Sequence, residues 1–514
     1  MTSETYLDMW NGDNLNIQEA KNQVKYAVIS YLSKDEFGEY KIQVERQRPI
    51  FLVGPPGVGK TEIMSQVAEE MDIALVSYSM THHTRQSAIG LPFISEHQYC
   101  GESYRTTEYT MSEIIASVYD KMEETGKREG MLFLDEINCV SETLAPAMLQ
   151  FLQMKIFGRH RLPEGWVVIT AGNPLEYNNS AREFDLATLD RLKRIDVEPE
   201  LGPWLVYARN NAVHAAVLNY LSIKKDDFYS VRLTVDGKLF VTARGWVDLS
   251  EMIYLYEQND IEVNLELVSQ YIQDERIARD FTSYYDLFYR YRREYDIAGI
   301  LLGTVGEQAI EKLLNAPFDE RITVVRLIND ALSSEFRREF VKSKVIDEVM
   351  NRIKFQKDEF LGAKLDKAAH ILKSISSDME DNLRERKKAH SISRMNERVV
   401  RKSIQTIRDI MHNVMGGIGE PSSIITGEMS KLNDERNNLI KSIQHQLKNS
   451  FSFIEKSFEG DNEMMIFVRT LSEDKYSAGF LANHGSEEYS RWSKGLIMSD
   501  KEQELTTEIE ELKQ

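Results

Sequence analysis

Cysteine is nearly absent from the 514 residues: Cys100 and Cys139 are the only two, far apart and without metal-ligand spacing. That leaves no basis for a disulfide framework or a cysteine-held zinc, and it suits free thiols in a reducing, cytoplasmic setting. No run of 18 apolar residues occurs, so no segment is expected to span a membrane. The opening MTSETYLDMWNGDNLN lacks the basic-then-apolar order of a secretory signal. Positive charge is in deficit, with 63 Lys and Arg against 82 Asp and Glu for a net −19. A surface of that sign repels nucleic-acid phosphates and anionic lipid. The basic run RERKKAH at 384–390 reads as a solvated face. There is no internal repeat and no low-complexity tract.

A hydrophobic share of 42% with 28% charged residues fits a globular chain and excludes disorder. The length calls for roughly two to four domains. Apolar spacing over 17–33 predicts a helix, and KIQVERQRPIFLV after it looks β-rich. From 50 to 200, short apolar runs alternate with helical patterns. IFLV (50–53), IALVSY (73–78), MLFLD (131–135) and WVVITA (166–171) are continuously apolar, as strands buried on both faces are. Helices are predicted over about 60–71, 111–126 and 142–154, the third with Ser141 as N-cap and Pro146 in its first turn. Such alternation gives a parallel α/β sheet.

Residues 204–222 and 244–258 read as helices around a hairpin, YSVRLTVDGKLFVTA, with Asp236-Gly237 at its turn. Beyond 260 almost everything is helical. Leu361, Leu365, Ala368, Leu372, Ile375, Met379 and Leu383 form a coiled-coil-like seam. A second stripe runs through Ile392, Met395, Val399, Ile407, Met411 and Val414. GGIGEPSS (416–423) breaks it, and a third runs from Ile425 through Met429, Leu432, Leu439, Ile443 and Leu447 to Phe451. The pattern implies a helical hairpin packed on itself.

Chemistry concentrates in GPPGVGKT, residues 54–61, which fits the phosphate-loop pattern G-x-x-x-x-G-K-[ST]. Gly54, Pro55, Pro56, Gly57, Val58 and Gly59 form a loop whose amides can face a phosphate, and the helix opening at Lys60 turns its positive end to the same anion. Lys60 would neutralise the β- and γ-phosphates, Thr61 would hold Mg2+, and Glu62 follows in the first helical turn. GMLFLDEIN (130–138) ends in Asp135, placed to hold the Mg2+ shell, and Glu136, placed to take a proton from an attacking water. WVVITAGNP ends in Asn173, whose amide could orient that water. In EFDLATLDRLKRIDV, Arg191 could reach a neighbouring subunit's γ-phosphate, with Arg194 as competitor. Arg244, in VTARGWVDL, could contact phosphate from the next domain. His82 and His83 lack a third ligand at metal spacing.

Together these residues resemble an AAA+ ATPase of the MoxR-like (dynein-related) group, over about residues 14–290. Residues 54–61 match Walker A, 131–136 Walker B, Asn173 sensor 1, Arg191 in LDRL the arginine finger and Arg244 in TARGW sensor 2. THHTRQSAIGLPFISEHQYCGESYRTTEYT (81–110) is similar to the helix-2 insertion of that clade, which faces the ring's pore. KIFGRHRLPEGW (155–166) resembles the hairpin before sensor 1. The resemblance implies an α/β P-loop NTPase module with a parallel sheet flanked by helices (1–200), a helical lid (201–290) and a long all-helical C-terminal region (291–514). It further implies ATP and Mg2+, a hexameric ring hydrolysing ATP between subunits, a chaperone-like remodelling or assembly role, and a partner bearing a von Willebrand factor A domain. A nucleotide-gated scaffold with little turnover and a GTP-using, restriction-type motor are the alternatives. The residues do not choose between adenine and guanine, and 291–514 match no motif.

Overall fold

The computed structural model describes residues 14–82, 85–178, 180–234, 237–360, 362–388, 392–458 and 462–494. The chain divides into two compact units. One takes in Met1–Trp204, Thr242–Arg244 and Asn382–Ser393, the other Leu205–Val241, Gly245–Asp381 and Arg394–Gln514.

The first unit holds the strands β1 (Leu15–Asn16), β2 (Ile50–Val53), β3 (Ala74–Ser79), β4 (Pro92–Tyr99), β5 (Glu102–Tyr109), β6 (Gly130–Asp135), β7 (Ile156–Phe157), β8 (His160–Arg161), β9 (Trp166–Gly172) and β10 (Lys193–Glu198). Its helices are α1 (Ile17–Tyr31), α2 (Lys60–Met71), α3 (Arg85–Ile89), α4 (Glu113–Thr125), α5 (Ala145–Met154) and α6 (Leu186–Leu189). Six strands form one sheet in the order β1-β10-β2-β9-β6-β3, with every pairing parallel. Successive side chains alternate across it. Ile50, Leu52, Met131, Phe133, Val167 and Ile169 meet Ala20, Val24 and Val28 of α1 and Ile63, Met64 and Val67 of α2. Phe51, Leu132, Leu134, Trp166 and Val168 meet Ile114, Ile115 and Val118 of α4 and Met148, Phe151 and Leu152 of α5. Helices therefore cover both faces, which is why these strands are apolar throughout.

Three local expectations fail. Residues 41–49, predicted β-rich, hold only a 3-10 turn, Val44–Arg46, before β2. α5 starts at Ala145 rather than after Ser141: Ser141 carries a preceding turn, its carbonyl accepting from Leu144 N, and its hydroxyl meets Thr143. The stretch 204–222 is two helices, Leu201–Asn210 and Ala215–Ile223, parted where Ala212 turns left-handed (φ 58°). Elsewhere the boundaries agree, and α1 begins with a full capping box in which Asn16 accepts from Gln18 N and Glu19 N while Glu19 accepts from Asn16 N.

One core residue opposes the fold. Lys155 is 2% exposed, and among the described residues its ammonium group bonds only the Leu152 carbonyl, at 2.6 Å. Burial pushes it down to about 7. The unfolded chain keeps that proton up to the ordinary lysine range, so this group makes stability rise with pH between about 7 and 10. Removing it should also remove a neutral-pH penalty on the order of 4 kcal/mol, less about 1 kcal/mol for the lost bond. Denaturant unfolding of Lys155→Met should show a gain of about 2–3 kcal/mol at pH 7 that shrinks by pH 9.5; equal stability of the two proteins at pH 7 would contradict this.

The second unit contains the antiparallel hairpin Ser230–Thr234 with Gly237–Val241, as predicted; Asp236 of its turn lies outside the described residues. Helix Phe318–Phe355 is its longest element, and helices Arg394–Gly416 and Pro421–Ser457 pack on it as well as on each other. The predicted hairpin thus has a third helix as its main support. Its break falls at 417–420. Val399, Ile407 and Val414 are buried, as are Ile425, Ile443, Leu447 and Phe451. In helix Leu365–Lys388 the seam residues Ala368, Leu372, Ile375, Met379 and Leu383 are buried, while Leu361 lies outside the described residues. Among the described residues no helix is long and apolar enough to cross a membrane.

Candidate active site

The parallel sheet sets the carboxyl ends of β2, β6 and β9 side by side, because Ile50 registers with Ile169 and Phe133 with Ile169. Ligands bind at such strand ends in open α/β sheets. The loop 54–59 leaves β2 there and enters α2 at Lys60. Gly59 is left-handed (φ 104°) where the helix begins, and Gly57 (φ 75°) has Thr242 so close that an added Cβ would lie 2.9 Å from the threonine Cβ. The second contact leaves no room for a side chain at Gly57, because Thr242 packs against it.

Lys60 is buried. Its Nζ donates to the Gly54 carbonyl (2.6 Å), the Pro55 carbonyl (3.0 Å) and Asn173 Oδ1 (2.9 Å). Thr61 Oγ1 donates to Asp135 Oδ2 at 2.9 Å. Asp135 Oδ1 accepts from the Glu136 amide at 2.9 Å. Glu136 is left-handed (φ 56°), and its Oε2 accepts from the hydroxyls of Ser79 and Thr81, each at 2.9 Å. Lys60 is thereby joined to Asn173, and Thr61 to Asp135, whose carboxylate meets the Glu136 amide. Glu62 is exposed in the first turn of α2.

Burial holds the Lys60 ammonium down to about 8. Asp135 and Glu136 oppose the shift and Arg244 adds to it, so Arg244 stands within electrostatic reach of the loop. A phosphate bound there would favour the cation and raise that value. Above pH 8 the empty site must take up a proton to bind, and affinity for Mg-ATP should fall up to about tenfold per pH unit from there. Below pH 8 this group should contribute no slope. Calorimetric titration between pH 7 and 9.5 checks it; a flat profile would contradict the lowered value for Lys60.

The two candidate fingers differ. Arg194 lies in β10 and makes a two-pronged ion pair with Asp196, with contacts of 2.7–3.0 Å. Arg191 is exposed just after α6, and its Nη1 donates to the Ala187 carbonyl at 3.2 Å. Arg194 is engaged within its own strand, whereas Arg191 bonds a backbone carbonyl and lies within electrostatic reach of Asp185.

Ser79, Thr81 and Asn138 were not singled out from the sequence. The only signal for the first two was hydroxyl residues at the end of a strand beside β6, where Ser79 registers with Asp135. The side chains of His82 and His83 lie outside the described residues. No cluster of three potential metal-ligating His, Cys, Asp or Glu side chains occurs among those described. Cys139 is a half-buried thiol held up by burial, and Cys100 is exposed. The long 81–110 link carries α3 and the hairpin β4–β5, and 155–166 carries the small hairpin β7–β8.

Residues 50–197 match the family described as ATPase family associated with various cellular activities (AAA). The match runs from the first residue of β2 into β10 and contains the phosphate loop, both acids, Asn173 and Arg191. It spans less than a third of the chain. No protein of curated function matches. Among solved structures, a crystal structure of a candidate ATPase from Cytophaga hutchinsonii ATCC 33406 is similar at 14% identity, covering 50% of this chain and 80% of its own, with a TM-score of 0.23. A likeness that weak supports no argument. The AAA match and the parallel sheet flanked by helices mark residues 50–197 as an AAA-type module, and a long helical region follows it.

Proposed function

We propose that the chain is an ATP-hydrolysing AAA+ protein of MoxR type, acting as an oligomeric, hexameric ring in chaperone-like remodelling or assembly with a partner carrying a von Willebrand factor A domain. Residues 1–200 bind nucleotide, 201–290 act as lid, and 291–514 form the helical C-terminal region. The observation that carries the reading is the junction at the strand ends: Lys60 on Asn173, Thr61 on Asp135, and Glu136 beside them. The N–H groups of Gly57, Val58 and Gly59, with the Lys60 side chain, bind the triphosphate. The Thr61 hydroxyl and the Asp135 carboxylate, oxygen donors 2.9 Å apart, fit Mg2+, which would neutralise phosphate charge when bound. Glu136 accepts a proton from water, Asn173 orients that water, Arg191 is supplied to the adjoining subunit, and Arg244 adds charge beside the loop. The insertions at 81–110 and 155–166 support the MoxR assignment.

Arg191 carries the test. A site completed by another copy requires turnover per chain to rise with chain concentration and then level off. Turnover that stays constant across a hundredfold dilution range would remove the ring from this account. The scaffold reading draws on one observation, the double hydroxyl hold on Glu136 Oε2, which competes with water for that oxygen.

A further inference from the structure

Asn138 lies two residues past Glu136, in the 3-10 turn Ile137–Cys139, and is 7% exposed. A buried amide has to be paired, and its partners show what it holds in place. Its Nδ2 donates to the main-chain carbonyl of Asn173 at 2.8 Å. Its Oδ1 faces the Cα of Gly172 so closely that a Cβ there would stand 2.5 Å away, and it accepts the Cys139 thiol at 3.8 Å. Its own carbonyl accepts from Arg182 N at 2.9 Å, and Asn178 Nδ2 reaches Cys139 Sγ at 3.2 Å. The segment leaving β9 is thus fastened to the turn leaving β6 at Asn173 and again at Asn178 and Arg182.

Asn173 must put its side-chain oxygen toward Lys60 and its backbone elsewhere. A residue just past a strand end has no ladder partner to fix its peptide plane. Here the Asn138 amide supplies the missing donor, and Gly172 supplies the room for it. We infer that Asn138 is a positioning residue that fixes the peptide of Asn173, so that the Asn173 amide faces Lys60 and the reacting water. The inference rests on the hydrolytic reading of this site, but the geometry behind it needs no nucleotide.

Two substitutions test it from opposite sides. Asn138→Asp keeps the shape and removes the donor. Gly172→Ala keeps the donor and pushes the amide away, without adding charge. In the nucleotide-free protein, the side-chain amide resonance of Asn173, assigned by its loss in Asn173→Ala, should shift in both variants. With Mg-ATP, both should keep KM within about threefold and lose at least about tenfold in kcat, and the double variant should lose little more than either alone. Unchanged unfolding midpoints would separate this from a general loss of structure. An unmoved Asn173 resonance overturns the inference whatever the activity, as does a shift with wild-type kcat in both variants. Shifted resonances in a chain whose wild type hydrolyses no ATP would leave the positioning intact and sink the proposed function instead.

Discussion

Glu136→Gln is expected to bind Mg-ATP within about threefold of wild type and to hydrolyse it at least about 100-fold more slowly. Glutamine has the same shape, tolerates the left-handed backbone at φ 56° as glutamate does, and offers an oxygen to the hydroxyls of Ser79 and Thr81. The fold and the phosphate loop should therefore be unaffected. An amide cannot take the proton of an attacking water, so the loss should fall on kcat alone. Single-turnover hydrolysis beside equilibrium binding separates the two quantities. Wild-type turnover in this variant would show that the base lies elsewhere.

Arg191→Ala should produce a loss of the same order or greater, about a thousandfold, because a guanidinium at the γ-phosphate stabilises charge that appears only in the transition state. The variant should fold normally, since the exposed Arg191 side chain gives up one bond to a carbonyl. Arg194→Ala breaks an exposed ion pair with Asp196, worth roughly 1 kcal/mol or less, and should change turnover little. The decisive version mixes two inactive proteins. Glu136→Gln chains still carry Arg191, and Arg191→Ala chains still carry Glu136. If each site draws its arginine from the next subunit, the mixture regains a substantial part of wild-type activity. A mixture as inactive as its components would assign Arg191 to its own site or to none.

Four adjacent strands, β2, β9, β6 and the edge strand β3, were legible in the sequence because they are covered on both faces and so read as apolar runs. β10 was not, because Lys193, Arg194 and Asp196 interrupt it and its apolar residues Ile195 and Val197 are too few to stand out. β1 is two residues long and has no pattern to read. The site followed the same division. The phosphate loop, Asp135, Glu136 and Asn173 have fixed spacing within contiguous motifs. Ser79, Thr81 and Asn138 act only because strand pairing brings three separate segments together, and no short-range signal marks a polar residue that acts across strands. Ser141 shows the converse error: its side chain is suited to a cap, but Asn138 and Cys139 are already committed to a turn, and the helix waits until Ala145.

The central claim is that a magnesium-bound triphosphate is held at Lys60 and Thr61. Calorimetric titration of the full chain with Mg-ATP tests it most directly. One saturable site per chain is expected, abolished by Lys60→Ala and weakening above pH 8 in the intact protein. No saturable heat, or the same binding curve in the Lys60→Ala variant, would contradict the account.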